Sequence, residues 1–194
     1  MGAPAYLTFE SCGGLTNQRM SIVTGLLIGQ MTNRRVVLPS LNPNGVQSPE
    51  KDYTEDRSHL LPFDSFFDRN ATVAALAELG IHVATQHEVL MSKMVAQSAT
   101  VRSTSRKLAY YRRLDGVPVL ALDCAFGALN MHGDNVLRQN YWAVDAALVF
   151  APGLRAAAER IIDGLRRRSV ERGAGGAFNA LHVRVERDWE LHCA

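Results

Sequence analysis

At 194 residues, with 47% apolar, 21% charged and 7% aromatic side chains, the chain has the make-up of a globular protein with one well-filled core, which excludes disordered and fibrous classes. A net charge of +2 is too mild to point to a nucleic-acid partner, and the one basic cluster, Arg166-Arg167-Arg168, reads as a solvated helix end whose charge suits the C-terminal dipole. No run reaches the roughly 18 to 20 apolar residues of a membrane span, so no membrane contact is expected, and no signal peptide precedes the first strand, which leaves room for a targeting segment upstream.

Ala5 to Phe9 is a short β-prone run followed by Gly13-Gly14, after which Met20, Ile22, Val23, Leu26, Leu27 and Met31 recur at helical spacing. Arg35 to Pro39 is almost continuously apolar and closed by proline, as in a buried parallel strand, so the opening reads as a right-handed βαβ unit. Residues 40 to 60 form a long polar loop, and "LPFDSFFD" resumes the core. Thr72 to Leu79 suits a short helix ended by Gly80, and Ile81 to Thr85 a strand. Ser92 to Arg113 reads as helical in pieces, and Val117 to Leu122 as a strand behind Gly116. From Pro152 a helix runs to Gly173 with Leu154, Ala157, Ala158, Ile161, Ile162 and Leu165 on one face, and Phe178 to Val185 is a last strand. Strands alternating with helices imply an α/β fold with an open, mostly parallel sheet.

Two constellations can carry chemistry. In the first, "GGLTNQR", a glycine turn lets backbone approach a ligand, and the helix start beyond it offers free N–H groups to an anion. The spacing is neither the dinucleotide GxGxxG nor the Walker loop with its lysine. Arg19, a cation in the first helical turn, opposes the helix dipole at a cost of about 0.3–1 kcal/mol unless a bound phosphate or a nearby carboxylate compensates. The competing reading is a glycine turn with Thr16 as N-cap and Arg19 in water.

The second constellation is "ALHVRVERDWELHC". Alternation in a strand puts Leu181, Val183 and Val185 on one face and His182, Arg184, Glu186 and Asp188 on the other. Burying Arg and Glu is costly unless they pair or meet a charged ligand, and the carboxyl ends of strands are where open α/β sheets bind ligands. An arginine there grips phosphate through two parallel hydrogen bonds and stabilises a departing diphosphate. The competing reading is an Arg184–Glu186 edge pair with a structural role only. His192 and Cys193 form no metal site, and Cys12, Cys124 and Cys193 leave one odd thiol however they pair.

These motifs in this order, "GGLTNQR", "NRRVVLPSL", "LPFDSFFD" and "ALHVRVERDWELHC", resemble the GDP-fucose protein O-fucosyltransferase family, particularly its plant and algal branch. The resemblance implies an inverting, metal-independent transferase of two Rossmann-like domains (GT-B), a mostly parallel sheet with helices on both faces in each. Its donor is GDP-fucose or a related sugar nucleotide, its acceptor a hydroxyl on a protein or glycan, and its setting the lumen of the ER or Golgi. Carried over, Gly13, Gly14, Asn17 and Arg19 line the donor cleft, Arg184 binds the diphosphate and assists its departure, and His182, Glu186 and Asp188 complete the nucleotide-contacting motif.

Many relatives read GGLNQ, whereas Thr16 precedes Asn17 here, and the turn holds neither the arginine nor the glutamate of some animal relatives. No catalytic base is visible; Glu10 and Asp64 are the nearest carboxylates in sequence. The family's catalytic unit is longer, so residues 1–174 are expected to be its first domain and 175–194 the opening strand of a second, in a truncated gene model or an inactive remnant. Asn70-Ala71-Thr72 matches the glycosylation sequon, in keeping with a lumenal setting. Two alternatives stay open: a relative that moves another deoxysugar onto polysaccharide, and a non-catalytic α/β anion-binding domain.

Overall fold

Strand β1 (Tyr6–Phe9) is the centre from which the sheet is built, and it is buried on both faces. The computed structural model describes residues 4–42, 60–92, 98–102 and 104–180. After β1 come α1 (Leu15–Met31), β2 (Arg35–Val37), a 3-10 turn (Phe63–Ser65), α2 (Arg69–Glu78), β3 (Val83–Ala84), α3 (Gln86–Met91), β4 (Ser98–Val101), α4 (Leu108–Arg112), β5 (Val119–Leu122), α5 (Asn135–Ala147) and α6 (Pro152–Glu171). Among the described residues the strands form a five-stranded sheet in the order β3-β2-β1-β5-β4. Every pairing in it is parallel. The expected α/β class is the fold found.

Pleating divides the core in two. Leu7, Phe9, Val36, Leu120 and Leu122 point to the face covered by α1, where the main cluster also gathers Phe63, Phe67, Tyr111 and Val144. Tyr6, Val119 and Ala84 point to the other face and meet Val89 of α3. Helices thus cover both faces, as expected of a Rossmann-like sheet.

Helix α1 is buried at every position from Ser21 to Gly29. Glycines make that possible: a Cβ on Gly25 would lie 2.6 Å from Cε1 of the Phe9 ring, and one on Gly29 would collide with Val36 Cγ2. At the opposite, amino-terminal edge of the sheet, Arg34 is 3% exposed. It donates to the carbonyls of Leu114 at 2.6 Å, Val117 at 2.7 Å and Tyr6 at 3.3 Å, tying the start of β1 to the approach to β5. Burial pulls its pKa down and the Asp115 charge opposes that shift.

Two readings need correction. The stretch from Ser92 to Arg113 holds strand β4 as well as α4, because Ser98 to Val101 pairs in register with Val119 to Leu122. Helix α5, capped by Asp134, whose side chain accepts from Leu137 N at 2.9 Å, was not anticipated. Phe178 to Ala180 carry no strand, and 181 to 185 lie outside the described residues. Only the ends of the long polar loop are described, and Leu41 and Leu61 exchange both backbone hydrogen bonds at 2.8 Å. By contacts the chain divides into two units, Met1–Pro152 and Gly153–Ala194. In the second, the apolar row of α6 is exposed, at 64% for Ile161 and 36% for Ile162.

The approach of α1 to β1 is testable. Gly25→Ala should cost about 1–3 kcal/mol through over-packing against Phe9. Gly164→Ala, in α6 with open space around it, should gain roughly 0.5–1 kcal/mol. An unchanged denaturation midpoint for Gly25→Ala would rule the close approach out.

Candidate functional site

Beyond Phe9 the chain turns through Glu10, Ser11, Cys12, Gly13 and Gly14 into α1, at the carboxyl edge of the sheet. Gly13 has φ +78°, and a Cβ there would lie 2.9 Å from both Cβ and Nδ2 of Asn17. Backbone and space therefore both demand glycine. Gly14 is the N-cap, with φ −63° and no side-chain cap, which corrects the reading of Thr16 as N-cap. A Cβ on Gly14 would meet nothing within 4 Å. The first helical hydrogen bond runs from Gln18 N to Gly14 O at 2.9 Å, so the N–H groups of Leu15, Thr16 and Asn17 have no partner within the helix. Leu15, Thr16 and Asn17 are exposed.

Gln18, fully buried, holds this turn from beneath. Its Nε2 donates to Gly13 O at 2.9 Å and Asn42 O at 2.8 Å, while its Oε1 accepts from Asn42 N at 2.8 Å and Ser11 Oγ at 3.2 Å. Ser11 Oγ lies 2.9 Å from Ser40 O as well. The turn is thereby tied to the segment that follows β2.

Arg19 has its counter-charge. Nε donates to Asp145 Oδ1 at 2.8 Å, and the other two nitrogens donate to Asp145 O at 2.7 Å and Leu148 O at 3.3 Å. Its guanidinium carbon also stands 5.0 Å from the Phe150 ring centroid and 5.8 Å from that of Phe67. The side chain is 21% exposed and caps the C-terminal carbonyls of α5, where a cation is favoured, rather than pointing into water. Of the compensations considered for this arginine, the structure supplies the carboxylate.

On the other side, Cys12 is disulfide-bonded to Cys124, just past the end of β5, with a Cα–Cα distance of 5.8 Å. β1 and β5 are neighbours whose loops leave the same edge of the sheet, so the bridge staples the turn across them. The loop after β5 is itself supported by Tyr111, whose hydroxyl donates to Ala128 O at 2.8 Å. Burial pushes this phenol up to about 12, so it remains a donor through the neutral range. Between this loop, α1 and α5 lies a cavity of about 600 Å³, bordered by Arg19, Met20, Phe126, Tyr141 and Trp142.

The structure brings together Gly13, Gly14 and Asn17 in an open turn and directs the Arg19 guanidinium toward α5. His182, Arg184, Glu186 and Asp188 lie outside the described residues. Among the described residues no group of three or more His, Cys, Asp or Glu side chains is placed to hold a metal ion. Asp64 is ion-paired with Arg69 at 2.6 Å. Reading the sequence missed Gln18 and the cysteine bridge. The signal for the first was a lone amide inside the "GGLTNQR" motif; for the second, a cysteine just past the end of each of two central strands.

Two measurements probe these supports. Removing the bridge, by reduction or by Cys12→Ser with Cys124→Ser, should cost about 2–5 kcal/mol, because it closes a loop with a sequence separation of 112. Asp145→Ala should cost about 1–3 kcal/mol by leaving Arg19 without its charge partner. A melting temperature unchanged by thiol, or by Asp145→Ala, would show the respective support to be idle.

Comparison with known proteins bears on this site as a whole. The family model described as GDP-fucose protein O-fucosyltransferase matches residues 6–194. O-fucosyltransferase 9 of Arabidopsis thaliana is 27% identical over 196 residues, covering 94% of this chain and 32% of that protein. The chain thus spans about a third of the length of this curated relative. Among solved structures, the POFUT1 apo-form superposes with a TM-score of 0.60 at 16% identity, over 100% of this chain and 63% of that one. POFUT1 in complex with GDP-fucose gives 0.59 at 17% identity, over 100% and 62%. The likeness to POFUT1 is one of fold, whereas the family match covers the sheet, the glycine turn and the HxRxExD segment together, and the chain belongs to the GDP-fucose protein O-fucosyltransferase family.

Proposed function

We propose that this chain carries the donor-loop part of an inverting O-fucosyltransferase, which moves fucose from GDP-fucose to a hydroxyl of a protein or glycan without a metal. The observation that carries the reading is the family match across residues 6–194, which takes in both the glycine turn and the Arg184 segment. The geometry of the turn supports it: Gly14 has open space where a Cβ would stand, and the N–H groups of Leu15, Thr16 and Asn17 have no partner within the helix, at the carboxyl edge of β1, where α/β sheets receive nucleotides. POFUT1, of the same fold, binds GDP-fucose in its crystal structure.

In this reading Gly13, Gly14 and Asn17 face the donor, with Arg19 one turn behind them. Arg184 binds the diphosphate, and His182, Glu186 and Asp188 contact the nucleotide. The acceptor oxygen bonds to the anomeric carbon on the face opposite the diphosphate and releases its proton to water, while the electron pair of the breaking carbon–oxygen bond passes to GDP. Negative charge grows on the diphosphate as it leaves, and arginine and backbone N–H groups stabilise that charge. Residues 1–174 form the first domain and 175–194 open the second. A lumenal setting in the ER or Golgi is supported by the Cys12–Cys124 bridge, since disulfides persist in oxidising compartments, and by exposed Asn70 in its sequon.

The test is donor binding and turnover. GDP and GDP-fucose titrated into the chain should bind, and Arg184→Ala should lower GDP-fucose turnover by about 100-fold or more, the size of one lost charge stabiliser. Absence of nucleotide binding would sink the reading. Binding with no turnover, before and after the substitution, would leave a non-catalytic donor-binding domain instead.

A further inference from the structure

The peptide between Gly13 and Gly14 has no Cβ on either side, so sterics alone leave it free to turn over. Its orientation matters at an anion site. In a planar trans peptide the C=O and the following N–H point in opposite directions, and a phosphate requires the N–H outward and the oxygen inward. Gln18 decides between the two orientations. The Asn42 N–H can only donate, and at 2.8 Å it fixes which end of the Gln18 amide is oxygen. Nε2 is then left to donate to Asn42 O at 2.8 Å and Gly13 O at 2.9 Å, and the Gly13 carbonyl is held inward. Both amide hydrogens and one lone pair are used, and Ser11 Oγ lies 3.2 Å from the same oxygen, on a side chain with no exposed surface.

We propose that Gln18 is a positioning residue for the donor diphosphate: by holding the Gly13 carbonyl inward it presents the Gly14 N–H outward, into the open space beside the glycine turn. This rests on the donor reading given above. Ser11 takes part, because its single hydroxyl hydrogen is shared between the same Gln18 oxygen at 3.2 Å and Ser40 O at 2.9 Å, so the segment after β2 sets the orientation of the turn through one buried amide.

The experiment is calorimetric titration of GDP into the chain and three variants, Gln18→Met, Ser11→Ala and Gln30→Met, with a thermal midpoint for each. Gln30 is the control, since it sits near the far end of the same helix and donates to Leu79 O at 2.7 Å. Gln18→Met should weaken GDP about tenfold or more, the size of one hydrogen bond to a charged group, and Ser11→Ala about two- to fivefold. Gln30→Met should lower the midpoint and leave GDP affinity unchanged. If the unsubstituted chain binds no GDP, the donor reading itself fails. If it binds, and Gln18→Met binds equally well or loses affinity only as much as Gln30→Met, Gln18 is structural and the inference is wrong. Should Gln18→Met not fold, Ser11→Ala decides: affinity equal to the unsubstituted chain overturns the proposal.

Discussion

Everything at the carboxyl edge of the sheet depends on how closely α1 lies against β1 and β2. Gly25 and Gly29 remove the side chains that would hold the helix away, and the Phe9 ring and Val36 fill the space they leave. A helix buried from Ser21 to Gly29 cannot slide or tilt without opening the main core, so its first turn has a fixed place relative to the end of β1. The connection between them has to reverse within a few residues, and the φ of +78° at Gly13 is the consequence. The openness of the glycine turn is thus a product of packing deep in the core rather than of a pliable loop.

The same packing determines which groups can meet an anion. Arg19 is the residue that charge arithmetic singles out, yet its guanidinium is engaged by Asp145, by two carbonyls at the end of α5 and by two aromatic rings. Opposite ends of two helix dipoles are joined through it: its backbone belongs to the start of α1, its charge to the end of α5. Electrostatically this leaves the start of α1 with the partial positive charge of its own N–H groups. Recognition by backbone suits a ligand whose negative charge is spread over several oxygens, because each N–H has a direction and none has to be desolvated as a full charge.

The parts of this fold that could be read from the sequence are those whose signal is local. β1, α1, β2 and α6 each carry their periodicity or apolar run within themselves, and the Gly13-Gly14 turn is visible as composition. β4 was hidden because Ser98 to Val101 is an edge strand with only Val101 buried, so it has neither clean alternation nor an apolar run. Helix α5 carries a local signal of its own, Leu137, Tyr141 and Val144 at helical spacing behind an Asp134 cap, but polar residues surround it and weaken that signal. The supports of the site were not legible for a different reason. Asp145 lies 126 residues from Arg19 and Cys124 lies 112 from Cys12, so each pairing exists only once the parallel sheet has formed. Gln18 shows the intermediate case: its position in the motif is local information, but its partner Asn42 belongs to the segment after another strand.

The two restraints on the turn act on opposite sides of β1. Gln18 and Ser11 tie it to the residues after β2, and Cys12 ties it to the residue after the end of β5. A loop held only toward β2 could still swing across the sheet edge, and one held only toward β5 could still rotate its glycine peptide. Together they remove both freedoms, by a covalent bond in one direction and a buried amide in the other. Glycines bring maximal freedom in the unfolded chain, so a turn that needs them for space has to be ordered by something outside itself. A turn held by partners on neighbouring strands is ordered without a ligand, and any binding there would not have to supply that ordering free energy.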